Sequence, residues 1–203
     1  MQAKTKVYDS NVGYDLAAAD YDKKEAYLKS FEKGCWAEIL PDLKDKAVLD
    51  VGAGTGRLTG LLLKKGARVT ALDVSKKMLE VLKKKFPAVS IQVGDAEDLP
   101  FPDESFDLVT AAFVVVHLKD PSIFFQETYR VLKPGGKLII TNINQKEAPP
   151  VKTEKGIIKI KSFYHRPEKV REFFEAAGFF LVNEKIINEG NTWVSQVIMA
   201  EKK

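Results

Sequence analysis

Short apolar runs alternate with amphipathic stretches along most of the chain, and that rhythm predicts a layered α/β fold. The strand-like runs are Ala47 to Val51, Arg68 to Val74, Val89 to Val93, Phe106 to Val116, Lys137 to Thr141, Phe179 to Ile187 and Val194 to Glu201. Seven such runs make a full doubly wound, mostly parallel sheet with helices on both faces. Between the first two, Leu58, Leu61 and Leu62 recur at helical spacing and end at Gly66, a suitable C-terminal cap. Ser75 is a good N-cap for a helix that carries Met78, Leu79 and Leu82 on one face and must stop by Pro87. Asp120 and Pro121 open a segment striped by Phe125, Tyr129 and Leu132, and Pro134-Gly135-Gly136 ends it. Pro167 to Ala177 carries Val170, Phe173, Phe174 and Ala177 inward.

Two regions stand outside this rhythm. Residues 1–45 lack alternation but distribute Tyr27, Leu28, Phe31, Trp36, Ile39 and Leu40 helically, which predicts one or two helices capping the sheet. Residues 144–163 begin polar and Pro-containing and continue as G-I-I-K-I-K-S-F, the pattern of an edge strand or a mobile flap. The expected organisation is a single domain over 1–203: a helical cap (1–45), a ligand-binding core (46–141), and a flap with C-terminal strands (142–203).

Composition narrows the function classes. With 45% hydrophobic and 30% charged residues the chain has the make-up of a globular protein. No stretch free of Asp, Glu, Lys and Arg is longer than Leu108 to Leu118, which is far short of a bilayer span, and no apolar core follows the basic residues at the start. A cytoplasmic location is expected. Cys35 is alone and only His117 and His165 are present, so neither a disulfide framework nor a Cys/His metal centre is expected. The 32 basic and 28 acidic residues are interleaved and only five are Arg, which makes nucleic acid an unlikely partner.

The candidate chemistry starts at Val48-Leu49-Asp50-Val51-Gly52-Ala53-Gly54-Thr55-Gly56, a buried strand passing into a helix through glycines at alternate positions. Without Cβ atoms a ligand can lie against the backbone where a helix N-terminus offers unpaired N–H groups. A dinucleotide fingerprint needs a small residue at position 57, and Arg57 stands there. The next strand ends in Asp73, followed by Val74, with the carboxylate 17 residues beyond Gly56 and at the same sheet edge, placed for both hydroxyls of a ribose. Asp95, closing the third strand, is placed to accept from an exocyclic amine while the Ala96 N–H donates to the ring. Together they indicate an adenosine-like cofactor.

The ordered set V-L-D-V-G-A-G-T-G, A-L-D-V-S, G-D-A-E-D-L-P-F-P-D-E-S-F-D, F-V-V-V-H-L and V-L-K-P-G-G-K-L resembles the class I S-adenosylmethionine-dependent methyltransferases, especially the small-molecule branch related to ubiquinone and menaquinone biosynthesis enzymes. It covers about residues 46–141 closely. The resemblance implies a Rossmann-like fold and S-adenosylmethionine as cofactor, with S-adenosylhomocysteine as product. It implies that Asp50, Gly52, Ala53 and Gly54 surround the methionine moiety, Asp73 with Val74 takes the ribose, Met78 lies against the adenine, and Asp95 with Ala96 reads its edge. Ala112 and Phe113 would lie nearest the sulfonium. Tyr14 and Tyr21, in G-Y-D-L-A-A-A-D-Y-D, look like the family's segment that closes over the cofactor; ordinary helix packing is the other reading.

Methyl transfer needs alignment, exclusion of water and, for some acceptors, removal of a proton. The catalytic candidates are His117, which follows the fourth strand, His165, which precedes the last helix, and Tyr21. The other reading of His117 is a structural histidine holding the turn beside Asp120, and that of His165 is an exposed residue where the last helix begins. The fourth strand ends in Ala-Ala-Phe-Val rather than Asn-Pro-Pro-Tyr and no Pro-Cys pair is present, which argues against adenine-N6, glutamine and cytosine-C5 acceptors; a small molecule is expected. Tyr21-Asp22 is followed by Lys-Lys-Glu, which departs from the quinone enzymes' N-terminal signature. The rival readings are a non-catalytic cofactor-binding partner subunit and a nicotinamide-dependent dehydrogenase, the latter on the Tyr-x-x-x-Lys spacing of Tyr129 and Lys133. Oligomeric state is not legible.

Overall fold

The computed structural model describes residues 5–203. A seven-stranded sheet runs in the order β4 (Ser90–Val93), β3 (Arg68–Asp73), β2 (Ala47–Val51), β5 (Phe106–Ala112), β6 (Leu132–Ile143), β10 (Thr192–Lys202) and β9 (Phe179–Glu189). The five strands from β4 to β6 pair in parallel because each connection carries the chain back across the sheet, three of them through helices α4 (Arg57–Lys64), α5 (Lys76–Lys85) and α6 (Ser122–Val131). Helix α7 (Pro167–Ala176) leads into β9, and a tight turn at Gly190 makes β10 antiparallel to β9; β10 also runs antiparallel to β6. The doubly wound, mostly parallel arrangement is the one the apolar rhythm predicts.

Alternation within the strands divides the sheet between two cores. Leu49, Val51, Val109, Ala111, Leu138 and Ile140 pack with Phe124 and Phe125 of α6 and Phe174 of α7. The intervening Val48, Leu108 and Ile139 pack on the other face with Leu58 and Leu62 of α4, Leu79 and Leu82 of α5, and Trp36.

The cap is more varied than its sequence suggests. It consists of β1 (Lys6–Tyr8), α1 (Ser10–Ala17), a 3-10 stretch (Ala18–Lys24), α2 (Glu25–Glu32) and α3 (Cys35–Ile39). Strand β1 corrects the all-helical reading: three residues are too few to show alternation, and what makes them a strand is a partner about 150 residues away in sequence. That partner is β8 (Gly156–Ile160), which forms a hairpin with β7 (Pro150–Thr153). The flap segment is therefore a hairpin in a separate three-stranded sheet, β1-β8-β7, and not an edge of the main one. A third apolar cluster joins Val151, Ile158 and Ile160 of this small sheet to Ala17, Ala18 and Met78. The long run Phe106 to Val116 also breaks earlier than expected, at Ala112, because Phe113 turns into the left-handed region at φ 62°.

Candidate functional site

The C-terminal ends of β2 to β5, roofed by α1 and the small sheet, enclose a cavity of about 680 Å³. Such an edge, where strand ends meet helix N-termini, is where ligands of open α/β sheets bind. The turn after β2 is built for close backbone approach. Gly52 has φ +63°, and a Cβ there would lie 2.5 Å from Cγ2 of Val114.

Asp73 is the pivot of this edge. Its Oδ2 accepts from the Gly54 N–H at 2.8 Å and its Oδ1 from the Ser75 N–H at 2.8 Å, tying β3 to the glycine turn and to the start of α5. Burial pushes its carboxyl up to about 6 against those donors, yet it lines the cavity. Each oxygen spends one lone pair on the protein and keeps another for a hydroxyl donor. Ser75 caps α5 by accepting from Met78 N–H at 3.2 Å, and its hydroxyl donates to Asp15 of α1 at 2.6 Å.

Eleven of the thirteen residues expected around the cofactor line the cavity: Tyr14, Tyr21, Gly52, Gly54, Asp73, Val74, Met78, Asp95, Ala96, Ala112 and Phe113. The other two do not reach it. Asp50 is buried inside the sheet-helix layer, where Thr59 Oγ1 donates to it at 2.6 Å and Thr110 Oγ1 at 3.0 Å, and burial pushes its carboxyl up to about 6. Ala53 is buried and its N–H donates back to the Leu72 carbonyl at 3.0 Å. Both hold the turn in place from behind.

His117 follows β5 in a short 3-10 turn (Val115–His117) and lines the cavity. Its Nδ1 lies 2.8 Å from the Lys161 carbonyl and its Nε2 2.6 Å from the Tyr14 hydroxyl. Burial holds the imidazole below its ordinary value, against the pull of that carbonyl. Tyr14 is pushed well above the usual phenol range by burial and then by neighbouring Tyr21 and Asp73. Tyr21, its ring 5.8 Å from that of Tyr14, is pushed up to about 12, chiefly by burial.

His165 and Tyr164 lie elsewhere. His165 is 8% exposed, its Nε2 bonded to the Leu118 carbonyl at 2.8 Å, so the second histidine clamps the end of the turn after β5 from behind. Tyr164 packs against Trp193 at 6.1 Å between ring centres. Neither borders the cavity, so the structure does not bring the catalytic candidate His165 to the site.

Several residues with a part in the site escape the sequence. Asp9, Ser10 and Asn11 at the start of α1, and Lys161 and Phe163 from the flap, line the cavity because the β1-β8 pairing brings them together. Glu32, 2% exposed, accepts from both terminal nitrogens of Arg57 (2.5 and 3.0 Å), from Trp36 Nε1 (2.6 Å) and from Thr141 Oγ1 (3.1 Å). The guanidinium carbon so fixed lies 5.4 Å from the centre of the Phe113 ring. The only sequence hint is the i, i+4 spacing of Glu32 and Trp36, which any exposed helix face shows as well.

A methyltransferase domain profile matches residues 49–140. A demethylmenaquinone methyltransferase of Thermotoga maritima is 35% identical over 170 residues, 81% of this chain and 72% of its own. The chain belongs to the class I S-adenosylmethionine-dependent methyltransferases. The Streptomyces griseus demethylmenaquinone methyltransferase is 33% identical over 144 residues, 69% of this chain, and the match spans 63% of that relative's length. In fold the chain is similar to an S-adenosylmethionine-dependent methyltransferase of Mesorhizobium loti, with a TM-score of 0.72 at 17% identity, covering 85% of this chain and 98% of that one. Family membership also disposes of the Tyr129 and Lys133 spacing. Tyr129 packs its ring 5.1 Å from that of Phe179, and Lys133 pairs with Asp107 at 3.1 Å at the opposite end of β5. Among the described residues no helix is long and apolar enough to cross a membrane.

Proposed function

We propose that this protein transfers a methyl group from S-adenosylmethionine to a small-molecule acceptor. The observation that carries the reading is Asp73, a buried carboxylate fixed by two backbone N–H groups on the wall of a cavity that Gly54 and Asp95 also line. That donor and acceptor set fits an adenosyl group. Asp73 takes the ribose hydroxyls, Asp95 and the Ala96 N–H read the adenine edge, Met78 and Leu72 supply its apolar bed, and the Gly52 to Gly54 backbone lies along the amino-acid tail. The bound cofactor supplies an activated methyl group on a cationic sulfur.

What remains for the chain is positioning and the exclusion of water. Phe113, held in a left-handed backbone and stacked under Arg57, fixes one wall. Tyr14, Tyr21 and Phe163 close the opposite side. Residues 5–17 and 150–163 form the acceptor wall, a roof that excludes water once it is docked. It is fastened by the Ser75 to Asp15 bond, and just beyond it in the chain the Asp22 carboxylate accepts from Thr55 Oγ1 at 2.6 Å and pairs with Lys85 at 2.8 Å. Calorimetry with S-adenosylmethionine, S-adenosylhomocysteine and NADH tests the reading. The first two are expected to bind in the micromolar range and NADH not at all; the reverse pattern overturns it.

A further inference from the structure

The histidine of this site has no free nitrogen. The Lys161 carbonyl can only accept, so Nδ1 carries the ring hydrogen, and the Nε2 lone pair is then engaged by the Tyr14 hydroxyl as donor. A proton leaving an acceptor cannot reach His117 without passing through, or displacing, Tyr14. Tyr14, by contrast, is a lining residue of the cavity, and a phenol oxygen that donates to His117 keeps lone pairs with which to accept. Building on the methyl-transfer reading, we propose that the Tyr14 hydroxyl is the atom that receives the proton of a hydroxyl-bearing acceptor, with His117 as the sink behind it.

In this step the acceptor O–H bond breaks and its electron pair stays on the acceptor oxygen, which becomes the nucleophile. The proton moves to Tyr14 Oη while the original Tyr14 hydrogen moves to His117 Nε2; once the methylated product has left, the relay resets in reverse, Tyr14 giving a proton to water as His117 Nε2 returns one to Tyr14 Oη. The phenol never has to exist as a free phenolate, which matters because burial and the neighbouring Tyr21 and Asp73 oppose that charge. Phe113 and Phe163 contribute aromatic side chains to the cavity lining and Leu118 an aliphatic one. Together with the relay they suit a hydroxyarene, with the side chains of Lys119 and Lys161 among the lining residues and Lys161 shared with Asp9 at 3.3 Å.

The relay also spans the roof. Tyr14 comes from α1, His117 from the turn after β5, and the carbonyl that sets the tautomer from the residue just after β8. Parallel pairing of β1 with β8 joins the two outer segments, so the base is complete only when the roof is docked. Water exclusion and proton acceptance are thus assembled in one event.

Two measurements test this. Nitrogen-15 NMR of the S-adenosylhomocysteine complex should show His117 neutral with its hydrogen on Nδ1, and Tyr14→Phe should raise the imidazole pKa, since the donor that favours the neutral ring is gone. A hydrogen on Nε2 overturns the proposal. Label transfer from methyl-labelled S-adenosylmethionine to catechol and naphthol is the second measurement. Tyr14→Phe and His117→Asn should each lower kcat by roughly 100-fold with S-adenosylhomocysteine affinity kept, and the double variant should be little worse than either. Tyr14→Phe within about threefold of the parent, or no transfer to either hydroxyarene from a protein that binds S-adenosylhomocysteine, overturns the relay and leaves the cofactor reading standing. Failure to bind S-adenosylhomocysteine removes both.

Discussion

The two halves of the cavity are fixed by different means. On the half expected to hold the cofactor, side chains are positioned by backbone nearby or on the adjoining strand: Asp73 by the Ser75 N–H two residues on and by the Gly54 N–H of the turn after the neighbouring strand β2, Asp95 by the Glu97 N–H at 3.0 Å. On the acceptor half, positions depend on contacts between residues far apart in the chain, such as Tyr14 with His117 and β1 with β8. A local arrangement survives changes elsewhere. A non-local one exists only when several segments dock together, so it is lost wherever one of them is displaced.

The largest effect is expected where the local half is tightest. Gly52→Ala forces a left-handed alanine whose Cβ meets Val114, and strain plus overpacking should lower stability by about 2 to 4 kcal/mol; thermal melting checks this. If the variant melts like the parent, close approach does not define this turn.

Asp50 sharpens the comparison through pH. Its carboxyl rises from 3.8 to about 6 on burial, so ionising it opposes folding. Its contribution is therefore most favourable below its unfolded value and is lost as pH climbs from about 4 through 6, by up to about 3 kcal/mol. Asp50→Asn should flatten that part of the stability profile relative to the parent. Denaturant titrations at pH 4, 5, 6 and 7 would read it, and equal slopes would contradict the burial argument. Asp73 should contribute in the same direction, since its carboxyl also rises to about 6.

Asp73→Ala should weaken S-adenosylhomocysteine binding by about 1.5 to 3 kcal/mol. It also strands the Gly54 and Ser75 N–H groups, so some stability is lost as well. Asp73→Asn, which keeps one acceptor, should recover part of the stability but little of the affinity. Calorimetry paired with melting separates the two, and an unchanged affinity in a folded variant would make Asp73 purely structural.

The smallest effect belongs to the non-local half. A Cβ on Gly13 of α1 would stand 2.7 Å from Cγ1 of Ile160, which itself packs in the small apolar cluster. Gly13→Ala should loosen the roof at about 1 to 2 kcal/mol while leaving the main sheet intact. Hydrogen exchange should then rise in residues 5–17 and 150–161 and stay unchanged at 49–56. A uniform rise over both regions would show that the roof does not open as a separate unit.

These differences explain what was legible beforehand. The apolar rhythm, the glycine turn, Asp73, Ser75 as a cap and Asp95 could be read because each depends on neighbours within a turn or a strand, where spacing is geometry. The seven strands and their mostly parallel order followed from the same periodicity. Tertiary structure alone decided the rest. It stopped β5 at Phe113, turned Asp50 and Ala53 behind the glycine turn, buried His165 against the Leu118 carbonyl, and made three residues, Lys6–Tyr8, into a strand. It also gave Glu32 and Arg57 to one another and set His117 between Tyr14 and Lys161. The physical reason is that a side chain's hydrogen-bond partner, unlike its helical or strand period, is chosen by whatever the finished fold brings within 3 Å, and sequence separation carries no record of it.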